Sequence, residues 1–319
     1  MSKIHNPRAG TLSVTRVRAK RIYPNVNLAR YNKQTIDNIG AFLAYKVRMA
    51  QVKYIDTKKN SSTFGTDIVA SVTILEAPKM LVSGARSYKQ TLYGLKCIDQ
   101  INVGENLTKV QQKNIKRKTT STLQNKNKQK TSDGLKQGST YTIMLAAQPT
   151  FKKTPEVMEV PVSKEKIKEF LAKKEISVAD VLKEGSVVDI CGVTKGFGFD
   201  GTVKRFGVKY MPVNSRKKVK GIGSIGSQRP ARVNWRVPWP GQTGYQRRTE
   251  FNKYLYKIIS GKDLQNILKE KLNKLSSASD YILLRGSVMG PEKRAIVLQM
   301  PVRAPKTAMP LPKIEEIIA

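Results

Sequence analysis

The chain has 319 residues, with 59 Lys or Arg against 23 Asp or Glu, a formal net charge of +36. That length holds one large or two ordinary domains with a real core, and a charge of this size and sign is the footprint of a polyanion binder. A hydrophobic share of 39%, below the globular norm of about 45–50% with Gly counted, leaves room for unpacked segments; no 18-residue apolar run or apolar leader is present, so neither a membrane span nor secretion is expected.

Charge that served only solubility would be interspersed with acids. Instead, residues 1–36 hold eight cations, 106–132 eight and 201–249 twelve, and none of the three contains a carboxylate. The rest of the chain holds 31 cations and 23 acids, an ordinary balance. The pattern divides the protein into a nearly neutral body and three cationic excursions.

In chain order, the N-terminal arm alternates cations with small or aromatic residues in "NPRAGTLSVTRVRAKRIYPNVN". Short β-branched runs bounded by Gly, Pro, Ser or Asp predict strands at 66–78, 138–147, 186–193, 280–288 and 293–302. Between 106 and 132 the composition is polar and low in complexity, too poor in apolar residues to fold alone. Helices are fewer. "SKEKIKEFLAKK" puts Ile167, Phe170 and Leu171 on one face, and "GKDLQNILKEKLNKL" does so with Leu264, Ile267, Leu268, Leu272 and Leu275. "SVADVLKEG" carries a Ser177 cap, Asp180 three residues on and Gly185 as a stop, which predicts a third helix. Short, irregularly spaced strands with long connections suggest a barrel or a sandwich, with the helices as cladding. Cys97 and Cys191 lie in strand-like runs with no zinc or disulfide spacing, so both are expected to be buried reduced thiols, as in a reducing cytoplasm.

"GVTKGFGFDGTV" places Gly196, Gly198 and Gly201 at G-x-G-x-x-G spacing. A dinucleotide site needs a helix after the glycines and an acid about 20 positions on. The following segment, with Pro212 and four glycines between 207 and 226, reads as loop rather than helix, and the first acid after Asp200 is Glu250. A kinase reading needs an H-R-D sequence, and the only histidine is His5. A glycine-hinged turn remains.

Residues 201–249 combine the twelve cations with seven glycines and with Phe206, Tyr210, Trp235, Trp239 and Tyr245. This far exceeds the roughly 12–15 residues usual for a structureless loop. Cations neutralise phosphates, rings and guanidinium planes stack on unpaired bases, and glycine lets backbone approach closely. That suits folded RNA, and no helix-turn-helix, zinc finger or basic zipper is present for a major groove. The alternative for "ARVNWRVPWPG" is that Trp235 and Trp239 pack into a core. Arg232 and Arg236 flank Trp235 with no apolar stripe nearby, which favours RNA.

The runs "GVTKGFGFDGTVKRFGV", "KGIGSIGSQRPARV", "PGQTGYQRRTEFNKYLYKI" and "YILLRGSVMGPEKRAIVLQMPVRAP" resemble large-subunit ribosomal protein three in its archaeal and eukaryotic form. "HNPRAGTLSVTRVRAKR", "GAFLAYKVRMAQV" and "VTILEAPKMLVSGARSYKQTLYGLKCIDQI" match in register, so the resemblance covers most of 1–20, 40–104, 155–162 and 187–305. Lack of a long lysine-rich C-terminal extension points to the archaeal branch. The resemblance implies a mainly β fold with an α+β insertion: a six-stranded closed β-barrel of translation-protein type with long basic extensions. The implied division is a basic arm (1–39), barrel (40–105), inserted α/β subdomain (106–185), barrel strand (186–200), long basic loop (201–250), barrel completion with a helix over 262–275 (251–305), and a tail (306–319).

It further implies a structural constituent of the large ribosomal subunit, cytoplasmic and without catalytic residues, cofactor, metal or small-molecule substrate. Its partners would be large-subunit rRNA of the 23S type and neighbouring large-subunit proteins, with no membrane contact and no independent homo-oligomer. Such a protein binds rRNA early in assembly and reaches toward the peptidyl transferase centre. By the motif match, Arg232, Val233, Asn234, Trp235 and Arg236 form the loop's inner tip, and Lys195, Lys204, Arg205, Arg216, Lys217, Lys218 and Lys220 clamp rRNA backbone. Lys209, Arg229, Arg247 and Arg248 in the loop, and Arg8, Arg16, Arg18, Lys20 and Arg21 in the arm, complete the expected RNA contacts. Gly196, Gly198 and Gly201 would be the hinge, and Gly221, Gly223 and Gly226 would allow close backbone approach to RNA. Three departures from the family pattern stand out: Phe197 where lysine is usual, Gln228-Arg229-Pro230 in place of Trp-x-Pro, and Gln246 for a histidine. A free-standing RNA-binding or RNA-chaperone protein is the alternative reading, and a nucleotide-binding enzyme is third.

Overall fold

The computed structural model describes residues 16–26, 39–58, 61–102, 138–212, 214, 218–229, 231–234, 237–267, 278–301, 303–305 and 310–318. The fold is mainly β, and the chain divides into two compact units. One comprises Met1–Ile22 and Val193–Arg248, the other Tyr23–Gly192 and Thr249–Ala319.

The second unit is the body. Its larger sheet uses β1 (Ala41–Ile55), β2 (Asp67–Ala77), β8 (Val187–Val193), β11 (Arg247–Ser260), β12 (Asp280–Arg285), β13 (Ala295–Gln299) and β14 (Lys313–Ile318). They pair in the order β13-β8-β11-β12-β2-β1-β14, and β13 also pairs with β1. Fifteen-residue β1 serves three partners. It runs antiparallel to β2 along most of its length, meets β13 through 41–45, and meets β14 through 51–55. Its register against β2 shifts between Lys46 and Arg48, just past the stretch paired with β13. A bulge of this kind bends and twists a strand, letting one edge change partners.

Strand β12 shows why its sequence is a continuous apolar run. Ile282 and Leu284 enter one core cluster with Phe42, Leu75, Ile190 and Leu298, while Tyr281 and Leu283 enter another with Val52, Ile74, Tyr256 and Ile317. Successive side chains point to opposite faces of a strand, so a strand buried on both faces must be apolar at every position. All seven residues of β8 are buried as well, and its one acid, Asp189, accepts a hydrogen bond from the Asn252 N–H at 2.9 Å.

A smaller sheet of β3 (Met80–Thr91), β4 (Gly94–Asn102), β5 (Thr140–Ala147) and β6 (Glu156–Val162) is ordered β4-β3-β5-β6, and β7 (Glu175–Ile176) adds to β3. Helix α1 (Ile167–Ala172) buries Ile167, Phe170 and Leu171, the face expected from sequence.

The five predicted strands form, as β2, β5, β8, β12 and β13. Other expectations need correction. Residues 177–182 fold as a turn, not a helix: the Ser177 amide and hydroxyl both donate to the Asp180 carboxylate, at 2.9 and 2.8 Å, and the chain bends again within four residues. Such local side-chain bonds compete with helical backbone bonding. Cys191 is buried, but Cys97 is exposed, because it lies on β4 at the edge of the smaller sheet. Within the predicted helix over 262–275, the described part is α3, Gly261–Ile267, after which 268–277 lie outside the described residues. The insert segment 106–132 also lies outside them. Near the C-terminus, β14 is secured by Tyr254 Oη donating to the Pro310 carbonyl and Thr57 Oγ1 to the Leu311 carbonyl, each at 2.8 Å.

Candidate nucleic-acid interface

Met1–Ile22 and Val193–Arg248 together contain 19 Lys or Arg and one carboxylate, Asp200. One acid cannot neutralise that excess, so within this unit the cations need either wide spacing or an external anion.

The glycine stretch forms a strand rather than a bare hinge: β9 (Gly196–Asp200) pairs antiparallel with β10 (Gly241–Gly244). The expectation of no helix after it also fails. Helix α2 (Thr202–Phe206) follows Gly201 directly and stops at Gly207, whose φ of 66° lets its N–H close on the Val203 carbonyl. One turn forms because breakers stand at both ends and none within it. It is far too short to supply the helix that a dinucleotide site requires. The loop root is then tied by hydrogen bonds: Thr202 Oγ1 donates to the Lys220 carbonyl at 3.2 Å, and the Met211 N–H to the Val219 carbonyl at 3.0 Å.

Gly244 closes the hairpin. Its φ is 66°, and a Cβ there would stand 2.0 Å from the Lys195 carbonyl oxygen and 3.0 Å from the Phe197 ring. The next residue's N–H donates to that same carbonyl at 2.8 Å. Buried Gln246 bonds Thr194 Oγ1 through its N–H, the Gln242 carbonyl through Nε2, and Arg248 through Oε1.

The N-terminal arm joins this root. Ala19 N–H donates to the Tyr245 carbonyl at 2.8 Å, and Arg18 lies over the Tyr245 ring at 5.5 Å. Arg16 donates through Nη1 to the Arg205 carbonyl at 2.7 Å, and its guanidinium lies 4.3 Å from the centre of the Phe206 ring. Arg205 lies 5.1 Å from the same ring and bonds the Trp239 and Gln242 carbonyls at 2.6 and 3.1 Å. Arg205 therefore helps hold the hairpin as well as carrying charge.

Burial, and then the nearby Arg16 charge, draw the Arg205 and Arg248 guanidiniums below their ordinary range. Arginine stays protonated under such pressure, so like charges are held close with no acid among them. Among the described residues, Arg16 Nε is buried with no hydrogen-bond partner. Two guanidiniums over one aromatic ring, with the Arg248 charge felt close to Arg16 and one donor unmet, are suited to a phosphate.

Exposed cations extend from this cluster. Arg18, Lys20, Arg21, Lys195, Lys204, Lys209, Lys218, Lys220, Arg229, Arg232 and Arg247 are exposed, whereas Arg16, Arg205 and Arg248 are half-buried. Gly196, Gly198, Gly201, Gly223 and Gly226 are exposed and Gly221 half-buried. Arg8, Arg216, Lys217, Trp235 and Arg236 lie outside the described residues. Phe197 and Phe199 are 67% and 77% exposed and Trp239 44%, so these rings present faces rather than filling a core. Sequence reasoning missed the structural parts of Phe206, Gln242 and Gly244; the only signal was their place in a cation-rich segment.

The Ribosomal protein L3 family model matches residues 1–318. The chain is 33% identical to large ribosomal subunit protein uL3 of Methanothermobacter thermautotrophicus, over 99% of this chain and 98% of that one. It is 36% identical to the uL3 of Nanoarchaeum equitans, over 98% and 96%, and 34% identical to that of Archaeoglobus fulgidus, over 95% and 94%. This chain belongs to the Ribosomal protein L3 family.

Proposed function

We propose that the protein is a structural constituent of the large ribosomal subunit in the cytoplasm, and that its arm-and-loop unit binds large-subunit rRNA. It does no chemistry of its own. The observation that carries the rRNA reading is the pair Arg16 and Arg205 over Phe206, with Arg248 near Arg16, in a unit with 19 cations and one carboxylate. Phosphates would satisfy it, and the exposed rings of Phe197, Phe199 and Trp239 offer faces for unpaired bases.

In this reading β1, β2, β12, β11, β8 and β13 are the closed six-stranded barrel of the body, supported by the pairing of β13 with both β8 and β1. The segment 201–250 reaches toward the peptidyl transferase centre with Arg232, Trp235 and Arg236 at its tip, neighbouring large-subunit proteins cover other faces, and binding occurs early in assembly. Two measurements test this. The protein should stay with purified large subunits during sedimentation in high salt; release at moderate salt would instead favour a free-standing RNA chaperone. Arg232→Ala or Trp235→Ala should change rRNA chemical reactivity near the peptidyl transferase centre with little loss of thermal stability, whereas a large stability loss would mean that Trp235 is a core residue.

A further inference from the structure

The body carries a feature that its own folding does not require. β3 and β4 are joined through the pair Thr91↔Gly94, leaving Leu92 and Tyr93 as a two-residue loop. Gly94 takes the positive φ of the turn, 118°, so the backbone places no demand on the identity of Leu92 and Tyr93. Both side chains are fully exposed, so neither contributes packing within the protein. Just behind the tip, Lys89 stands directly opposite Lys96 in the ladder. Directly opposed residues share a face about 4.5–5.5 Å apart, and like charges there destabilise a hairpin. Among the described residues neither lysine has an ion-pair partner. Outside the three carboxylate-free segments the chain holds 31 cations and 23 acids, so composition does not force two lysines to face each other. A shallow open hollow lies along Lys89, Gln90, Thr91, Leu92 and Tyr93.

We propose that the β3–β4 hairpin tip is a second RNA-binding site, with Lys89 and Lys96 together engaging backbone phosphate and Tyr93 stacking on an unpaired base beside Leu92. It rests on the rRNA reading of the chain, and it assigns a contact to the unit that lacks the cationic loop. An anion between the lysines removes the cross-strand repulsion, and a base face covers the exposed ring, so one ligand accounts for both anomalies.

The protein itself supplies a probe. Cys97 is exposed and adjacent to Lys96, whereas Cys191, the only other cysteine, is buried. An iron chelate attached to Cys97 of the full chain, bound to large-subunit rRNA, should generate hydroxyl radicals that cut the RNA at a discrete cluster of positions. Binding without cuts, or cuts confined to a neighbouring ribosomal protein in assembled subunits, would overturn the proposal.

Two variants of the unlabelled full chain make the second arm. Tyr93→Ala should weaken rRNA binding by roughly fivefold to 150-fold, the range for loss of one stacked base. Lys96→Glu places an opposite charge beside Lys89, so the free protein should melt at the same or a higher temperature. Its affinity should nevertheless fall, with the log–log salt slope reduced by about 1 to 2. If both variants bind like the unchanged chain, the hairpin site is refuted while the loop reading stands. If the unchanged chain fails to bind rRNA at all, both readings fall.

Discussion

Gly244→Ala isolates the geometry of the loop root. At φ 66°, alanine costs about 1–2 kcal/mol in the left-handed region. Its Cβ would also stand 2.0 Å from the Lys195 carbonyl oxygen, a backbone atom that has to withdraw by an ångström or more. That withdrawal breaks the 2.8 Å bond from the Tyr245 N–H to the same carbonyl, worth about 0.5–1.5 kcal/mol net. Together these give about 1.5–3.5 kcal/mol of local destabilisation, confined to β9 and β10. Native-state hydrogen exchange reads it directly: protection of the Tyr245 amide should fall by about 10- to 300-fold, at about tenfold per 1.4 kcal/mol, while amides of β12 keep theirs. Because Lys195 and Arg205 flank this hairpin, rRNA affinity should fall as well. Unchanged protection at Tyr245 would refute the reasoning, since alanine would then be tolerated where the backbone leaves no room for it.

Three further outcomes are expected. Burial raises the Glu76 carboxyl above its usual range, opposed only in part by the Ser279 hydrogen bond. A raised folded-state value means that its contribution is fully present below the ordinary carboxylate range and is lost as pH rises through the raised value. Glu76→Gln should therefore raise the unfolding midpoint at pH 7, and the gain should vanish in acid; equal gains at both pH values would contradict it. Leu298→Ala, at a fully buried position in the main core, should cost about 2–5 kcal/mol in urea denaturation, and a cost below 1 kcal/mol would mean that this core collapses freely. Trypsin should cut the isolated protein first within 1–36, 106–132 and 201–249, with Lys209, Lys218 and Arg232 ahead of half-buried Arg205. Protection in the subunit should follow, and equally rapid cutting in the β body would undo that division.

What could be read from sequence was whatever a short window contains. β-branched runs announced β2, β5, β8, β12 and β13, and apolar spacing announced α1, because burial on a strand or helix face imposes its own period. The tertiary structure decided against a helix at 177–182, where the Asp180 carboxylate captures the Ser177 amide and hydroxyl instead. It put Cys97 on an exposed edge, since a strand's pattern does not reveal which ladder it joins or whether it ends one.

The functional surface divides in the same way. Cation runs without carboxylates stand in the sequence itself, because net charge is additive and needs no fold, and they alone pointed to a polyanion. Which cations work together does need the fold. Arg16 meets Arg205 across 189 positions of sequence, Gly244 is fixed by a carbonyl 49 positions before it, and Lys89 faces Lys96 only through the register of one hairpin. Composition set the sign of the partner, whereas long-range pairing set where its phosphates can be held, because contacts distant in sequence exist only once the chain has closed.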